Sequence, residues 1–416
     1  MSSEPLSASV ETVRRLTITK QGLSRPLPER VTPEALLSVV RSLAFVQWDP
    51  VTVVAPSHLL SFYARVGDFR RELLDQLLWT DKTLLLHWTP IASLVLTEDY
   101  PLYLSLMKRY PDTRSKSWGY QLRDAKRFLA RHSELRRQIL ANLKRGPRAT
   151  GEFKEHRTTK RDERDWGSGG DVPEMLFHLL MRGEVMVVGH RDAQNLWGSP
   201  NEFLPNWVDR TELSERDEER AAAQRAIRAL GTATPREITL YFPRGCYIDL
   251  KGVLAELRNE SRIHRITVEA FGSRDERYIH DADLPLLESL DSGRFEPRLS
   301  LIPPFDNLLY SQGPTKRLFG FDYIREQFLP KEKRKYGTYV LPIVWRENLI
   351  GRIDPRLDKE SGTLHINAVH FEPGAPVDRE VQEKFAEAVS GLAKFIGAKR
   401  VAYSSQVPGQ WSQPAR

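Results

Sequence analysis

The sequence predicts an α+β chain: three consecutive copies of one helical unit, each closed by a strand pair, then a β-rich segment and a last helix. Three observations predict it. One order of signals recurs three times: two helices, an amphipathic helix stopped by glycine, then a strand and a turn. After residue 295 the apolar positions switch from helical spacing to alternation. Residues 377–398 then return to helical spacing.

The elements follow in order. In the first unit, residues 10–115, TPEALLSVVRSL opens with Thr32 as a cap, Pro33 at the first helical position and Glu34 behind it. It runs straight into FVQWDPVTVV, residues 45–54. In the second unit, residues 120–205, SELRRQILANLKRG sets Leu135, Ile139, Leu140 and Leu143 at helical spacing. GPRATGEFKEH reads as a turn and a short helix. Asp171 reads as the N-cap of the next helix, with Pro173 in its first turn. Gly183 ends that helix before the strand EVMVV and the wing or turn GHRDAQN. In the third unit, residues 215–292, ERAAAQRAIRAL stops at Gly231, and Thr234, Pro235 and Glu237 have the spacing of a capping box. DLKGVLAELRNES is a helix, and RIHRITVEA and ERYIH are strands around the turn Gly272–Asp275. Linkers are expected near 111–121 and 200–216, where Pro, Ser, Asn and charge concentrate.

This order, three helices and then a hairpin, is the winged-helix plan. Three copies at matching spacing are harder to obtain by chance than one. The last domain, residues 295–416, contains KYGTYVLPIVWRENLIGRIDPRLDKESGTLHINAVHFEPG, a β-meander or small β-barrel. The closing helix carries Phe385, Val389, Leu392 and Phe395/Ile396 along one face.

A chain of 416 residues is too long for one core, so two to four domains are expected. With 40% hydrophobic and 28% charged residues it reads as a soluble globular protein. No apolar run approaches the ~18 residues of a membrane helix, and MSSEPLSASVETVRR has no signal-peptide core. The lone Cys246 forms no internal disulfide, which favours the cytoplasm, and with nucleic acid as partner, the nucleoid. No His/Cys/Asp cluster has metal-ligand spacing, so no metal and no cofactor are expected. GPRATG lacks the preceding strand and the G-K-[ST] of a phosphate loop. From Lys108 to Arg164 there are 18 Lys and Arg against 7 Asp and Glu, in a chain whose whole surplus is 7. Such concentration suggests a polyanion partner, with Arg123, Lys126, Arg127, Arg136, Arg137, Lys144 and Arg145 as candidate phosphate contacts. A solvated helical face is the plainer reading of the same run.

FVQWDPVTVV places the amide of Gln47 and the carboxylate of Asp49 two residues apart in an apolar run. Residues two apart in extended chain point the same way, and Pro50 disfavours helix at Asp49. Gln47 and Asp49 would then face one cavity, with Trp48 anchored opposite. The competing reading makes Asp49-Pro50 the start of a turn and Gln47 a cap on the preceding helix.

QWDPVTVV, SHLLSFYARVGDF, LIPPFDNLLY, RLFGFDY and KYGTYVLPIVWRENLIGRID together resemble the bacterial winged-helix DNA glycosylases of the YcaQ/AlkZ type. The likeness spans about residues 12–375. It implies a curved body of three winged helices and a β-barrel that binds damaged double-stranded DNA as a monomer. It also implies excision of alkylpurines and unhooking of interstrand crosslinks. The family's Gln-Φ-Asp or Gln-Φ-Gln motif falls on Gln47, Trp48 and Asp49, and the Asp version resembles the YcaQ-like branch. Family members carry His-x-Ala-Ser; here Ala92 and Ser93 are present but Pro90 stands at the histidine, and His87 is the nearest substitute.

Cationic N7-alkylguanine leaves readily, and the transition state puts positive charge on the sugar. Asp49 would stabilise that charge and activate water while Gln47 holds the water. His58 would touch the lesion strand or sit buried at a helix start. Arg65 would contact phosphate or be a surface charge. Ser93 would line the site or bond backbone. Asp306 and Asn307 read as an Asx-turn holding the barrel to the helical units, and Cys246 as a bystander. The motif has no lysine to form a Schiff base, which favours a monofunctional glycosylase over one that also cuts the backbone. A non-catalytic winged-helix regulator is the alternative function.

Overall fold

The structure, a computed structural model, describes residues 6–411 except 90, 113–118, 154–169, 192–193, 244–246, 273–274 and 311, with backbone alone at 119–121, 312–314 and 410. Pro90 and Cys246 therefore lie outside the described residues, with much of the linker at 111–121 and the end of the short helix expected at 151–156.

The chain begins with β1 (Leu6–Ala8) and α1 (Val10–Lys20). Next come α2 (Pro33–Leu43), β2 (Val46–Gln47), α3 (Ser57–Val66), α4 (Glu72–Asp75) and the hairpin β3 (Leu84–Trp88) and β4 (Ala92–Leu96). After α5 (Tyr100–Arg109) and α6 (Gly119–Arg131), the pattern repeats as α7 (Ser133–Leu143), β5 (Arg148–Ala149), α8 (Asp171–Met181), β6 (Met186–Arg191) and β7 (Gln194–Gly198). Beyond α9 (Pro200–Phe203) it repeats once more as α10 (Glu215–Leu230), β8 (Thr232–Ala233), α11 (Pro235–Tyr241), α12 (Leu250–Asn259), β9 (Ile263–Val268) and β10 (Arg277–His280). Then come α13 (Leu284–Asp291), β11 (Ser300–Leu301), α14 (Gln312–Phe319), β12 (Leu341–Trp345), β13 (Asn348–Asp358), β14 (Thr363–Phe371), α15 (Arg379–Phe395) and β15 (Arg400–Tyr403).

Three small sheets share one order. In β2-β4-β3, β5-β7-β6 and β8-β10-β9 the short first strand pairs with the second strand of the hairpin. Local chemistry explains the repeats. Thr32 Oγ1 accepts the Ala35 N–H, Thr234 and Glu237 close a reciprocal capping box, and Gly231 ends α10 at φ +77. The fold is α+β, and its topology agrees in general terms with the expected winged-helix plan.

Some expectations are corrected. Gly170, not Asp171, is the N-cap of α8, and Asp171 is its first helical residue. The long helix is not the last element. α15 crosses over to β15, which pairs parallel to β14. The resulting five-stranded sheet is curled and partly closed, with edge strands β11 and β15 unpaired with each other, so it is not a complete barrel. The N-terminal elements leave the first repeat: β1 pairs parallel with β9, and α1 packs on α10 and α13. An apolar cluster that includes Leu36, Phe62, Leu94, Leu176, Ile353 and Phe385 joins the first two repeats to the C-terminal sheet and α15. No helix among the described residues is long and apolar enough to cross a membrane.

Candidate active site

The chain bends sharply before the Gln-Trp-Asp motif. Ala44, at the end of α2, has φ +67 and ψ −31, outside the basins a residue with a Cβ prefers. Both flanking carbonyls are held. Tyr241 Oη donates to Leu43 O (2.7 Å) and Asn307 Nδ2 donates to Phe45 O (2.9 Å), while Asn307 Nδ2 also donates to Tyr241 Oη (3.1 Å). Strain of this kind persists only where the surroundings over-determine it, and it concentrates at functional sites. Here the third repeat and the C-terminal segment together aim β2.

Gln47 lies in β2 and so does not cap α2. It pairs with Ser93, which pairs in turn with His87, so the three side chains share one face of the sheet. The amide of Gln47 is half-buried and makes no hydrogen bond among the described residues. Ser93 is fully buried, and its Oγ donates to Ile91 O (2.9 Å), the backbone role. His87 is buried beside the Tyr103 ring at 5.1 Å, its Nδ1 unpaired, and burial pulls its pKa down to about 4.

Trp48 donates its backbone N–H to Ala92 O (2.8 Å) and packs against the apolar cluster on the opposite face. Its indole lies between two imidazoles, with ring centroids 4.0 Å from His58 and 5.6 Å from His190, both nearly parallel. Trp48 is half-buried, and both imidazoles pack nearly parallel to its indole. Trp48, which with the rest of the motif was also a candidate DNA contact, is thus held among ring neighbours from two repeats.

Asp49 is 8% exposed. The Val51 N–H donates to its Oδ1 (2.8 Å), so the aspartate does start a turn. Its Oδ2 has no hydrogen-bond partner among the described residues. Burial raises its carboxyl above the ordinary range, only partly offset by the Val51 N–H. Three buried polar atoms of neighbouring residues, Ser57 Oγ, His58 Nδ1 and Tyr339 Oη, lack a well-formed hydrogen bond. His58 is held neutral by burial, its pKa down to about 4, and faces the Asp49 carbonyl. The Tyr339 hydroxyl lies beside Ser57 and within electrostatic reach of Asp49. Unpaired buried groups are rare in folded proteins, and a cluster of them calls for an explanation.

Arg65 is a correction. It is neither a surface charge nor placed to meet phosphate. Its guanidinium is buried and grips Asp306 through two bonds of 2.7 and 2.9 Å, with further donations to Gln21 O and Ser61 O. Asp306 Oδ1 also accepts the Leu308 N–H (3.0 Å), so the Asx-turn expected at Asp306-Asn307 is present. Most of the expected phosphate contacts have acidic neighbours instead. Lys126 pairs with Asp112, Arg127 with Asp124, Arg136 with Glu184 and Arg137 with Glu134. Arg123, Lys144 and Arg145 are exposed and have no carboxylate partner among the described residues.

Sequence reasoning missed Ser57, Tyr339, His190 and the Arg65–Asp306 pair. Tyr339 lies inside KYGTYVLPIV, yet no spacing links residue 339 to residue 49; only the fold does.

Comparison with known proteins places the chain in a family. The family model described as DNA glycosylase AlkZ-like matches residues 40–395. The solved DNA glycosylase AlkZ of Streptomyces sahachiroi is similar at 16% identity, covers 97% of this chain and 100% of its own, and superposes with a TM-score of 0.64, a likeness of fold. Because the family match takes in most of the chain, with Gln47, Asp49, Ser57, Asn307 and Tyr339 inside it, the chain belongs to the AlkZ-like DNA glycosylase family.

Proposed function

We propose that this chain is a monofunctional DNA glycosylase that hydrolyses the N-glycosidic bond of cationic N-alkylpurines, foremost N7-alkylguanine, including those in interstrand crosslinks. It stands nearer the Gln-Φ-Asp, YcaQ-like branch. Three tandem winged helices and the C-terminal sheet form the duplex-binding body, and the protein acts as a monomer. One observation carries the reading. A partly desolvated carboxylate, tied through one oxygen to the Val51 N–H, lies within electrostatic reach of the buried Tyr339 hydroxyl, and the neutral imidazole of His58 faces its backbone carbonyl.

The chemistry follows. The alkylated base is already cationic and departs with the bonding electron pair as a neutral base. Asp49 stabilises the developing oxocarbenium charge and takes a proton from the attacking water, whose oxygen bonds to the anomeric carbon. Gln47 holds that water, accepting through its carbonyl and donating through its amide. No lysine is called on, so no Schiff base forms and the strand stays intact.

The test is a duplex carrying one N7-methylguanine, incubated with excess protein and then heated in alkali. Strand breaks confined to the lesion are expected, and none before alkali. Wild-type protein that leaves no alkali-labile site removes the proposal, and a sequence-specific footprint on undamaged DNA would favour a regulator.

Tyr339→Phe offers a second check. The lost hydroxyl has only the Ser57 hydroxyl beside it and no well-formed hydrogen bond, so stability should change little. The single-turnover rate should fall by about 10-fold, the equivalent of one hydrogen bond to water or sugar. An unchanged rate would make Tyr339 a packing residue.

A further inference from the structure

We propose that residues 324–335 form a second contact with the duplex, in which Phe328 is an apolar wedge against the base stack beside the target and Lys331 and Lys333 meet phosphates. The proposal rests on the reading of the chain as a DNA-damage enzyme and deepens it.

Phe328 is 72% exposed, more than any other large apolar side chain among the described residues, and Ile324 is 53% exposed beside it in the chain. The ring is not on a loose tail. It sits in a one-turn helix, Glu326–Phe328, with its N–H donating to Arg325 O (3.2 Å), and its edge meets Phe305 at 6.1 Å. Two independent ties bring this turn to the Asp49 site. Phe305 immediately precedes Asp306 and Asn307, which grip Arg65 and the Phe45 carbonyl two residues before Gln47. The buried carboxylate of Glu326 accepts the N–H groups of Tyr336 (2.7 Å) and Gly337 (3.0 Å), and the chain then reaches Tyr339 beside Asp49. Lys335 and Tyr339 are four residues apart, at most about 14 Å of chain.

The charge identifies the partner. Lys331, Lys333 and Lys335 are exposed, Glu332 is the only acid among residues 331–335, and neither Lys331 nor Lys333 has a carboxylate partner among the described residues. That contrasts with the paired cations of α6 and α7. Protein interfaces are depleted of lysine at their centres. A projecting aromatic side chain with unpaired lysines is the chemistry of nucleic-acid contacts that unstack a base step while holding the backbone.

The experiment uses the full chain and a duplex with N7-methylguanine next to 2-aminopurine, whose fluorescence rises when it unstacks. Asp49→Asn serves as background, so binding is read without cleavage. A rise is expected on binding. Phe328→Ala should bind with an unchanged salt slope but lose most of the rise, and in the Asp49 parent it should slow excision about 5-fold or more. Lys331→Ala with Lys333→Ala should lower the slope of log affinity against log salt by about 2, on damaged and undamaged duplex alike. Full fluorescence with Phe328→Ala, or an unchanged slope in the double lysine variant, overturns the proposal and points to a protein partner for this surface. These readouts do not require catalysis. Failure of the glycosylase reading would appear separately, as wild-type protein that binds and unstacks but never cuts.

Discussion

Asp49→Asn should lower single-turnover release of N7-methylguanine by about 10²–10⁴-fold, the range for removing a general base, while duplex affinity should stay within a few-fold. Asparagine keeps the Oδ1 acceptor that the Val51 N–H uses, so the turn survives and the loss is chemical. The stability change has the opposite sign. Burial raises the Asp49 carboxyl above the ordinary value of ~3.9 expected in the unfolded chain. A raised folded-state pKa means that the fold favours the protonated form. That contribution is complete below the unfolded value and is lost as pH rises through the folded one, above which the fold carries the cost of a half-desolvated anion. At neutral pH Asp49→Asn should therefore melt at the same temperature as the parent or higher. The parent's excision rate should climb with pH through the raised value and then level, because only the ionised carboxylate can take a proton. A variant that melts lower yet excises normally would make Asp49 a turn former and nothing more. Gln47→Ala separates the two polar groups. Its amide has no partner to lose, so stability should hold while the rate falls.

The units were legible where local chemistry decides them. Thr32-Pro33-Glu34 and Thr234-Pro235-Glu237 start helices because their caps act within three residues, and Gly183 and Gly231 end helices because positive φ is cheap there. Three repeats of one order were visible for the same reason. What failed depends on residues far apart in the chain. Arg65 reads as a surface cation until Asp306, 241 positions on, meets it. The ring neighbours of Trp48 could not be read either, since His190 comes from the second hairpin, 142 positions on. The basic surplus reads as a phosphate track because composition cannot show Glu184 answering Arg136 from 48 residues away. Likewise β15 is only four residues long, and its pairing with β14 is arranged by the packing of α15 rather than by any pattern of its own. Gln47 was placed correctly in an extended segment, while Asp49 lies beyond the strand and starts a turn. The bend that aims the motif was not foreseen, since alanine gives no warning of a positive φ.

The largest loss of stability is expected at the buried pair whose arginine the sequence reading misassigned. Arg65→Ala leaves the Asp306 carboxylate buried without its cation and withdraws donors from Gln21 O and Ser61 O. Removing one member of a buried, hydrogen-bonded pair costs about 3–5 kcal/mol. Asp306→Ala should cost a similar amount, since it strands the guanidinium and opens the turn at Leu308. Replacing both with apolar residues of similar size, Arg65→Met with Asp306→Leu, should recover a substantial part, because no charge then remains buried. Arg65→Lys should not rescue, because one ammonium cannot reproduce the two-point grip on the carboxylate. Urea unfolding midpoints read all four variants. The effect should reach the active site as well. Asp306 precedes Asn307, whose amide holds the Phe45 carbonyl and, through Tyr241, the Leu43 carbonyl on either side of strained Ala44. Loosening that grip lets the bend relax, so the charge-free double variant should fold yet excise more slowly than the parent, with its salt slope for duplex binding unchanged. If Arg65→Ala instead unfolds at the parental midpoint and lowers the salt slope by about one, the guanidinium is reaching phosphate and the buried pair is not what holds it.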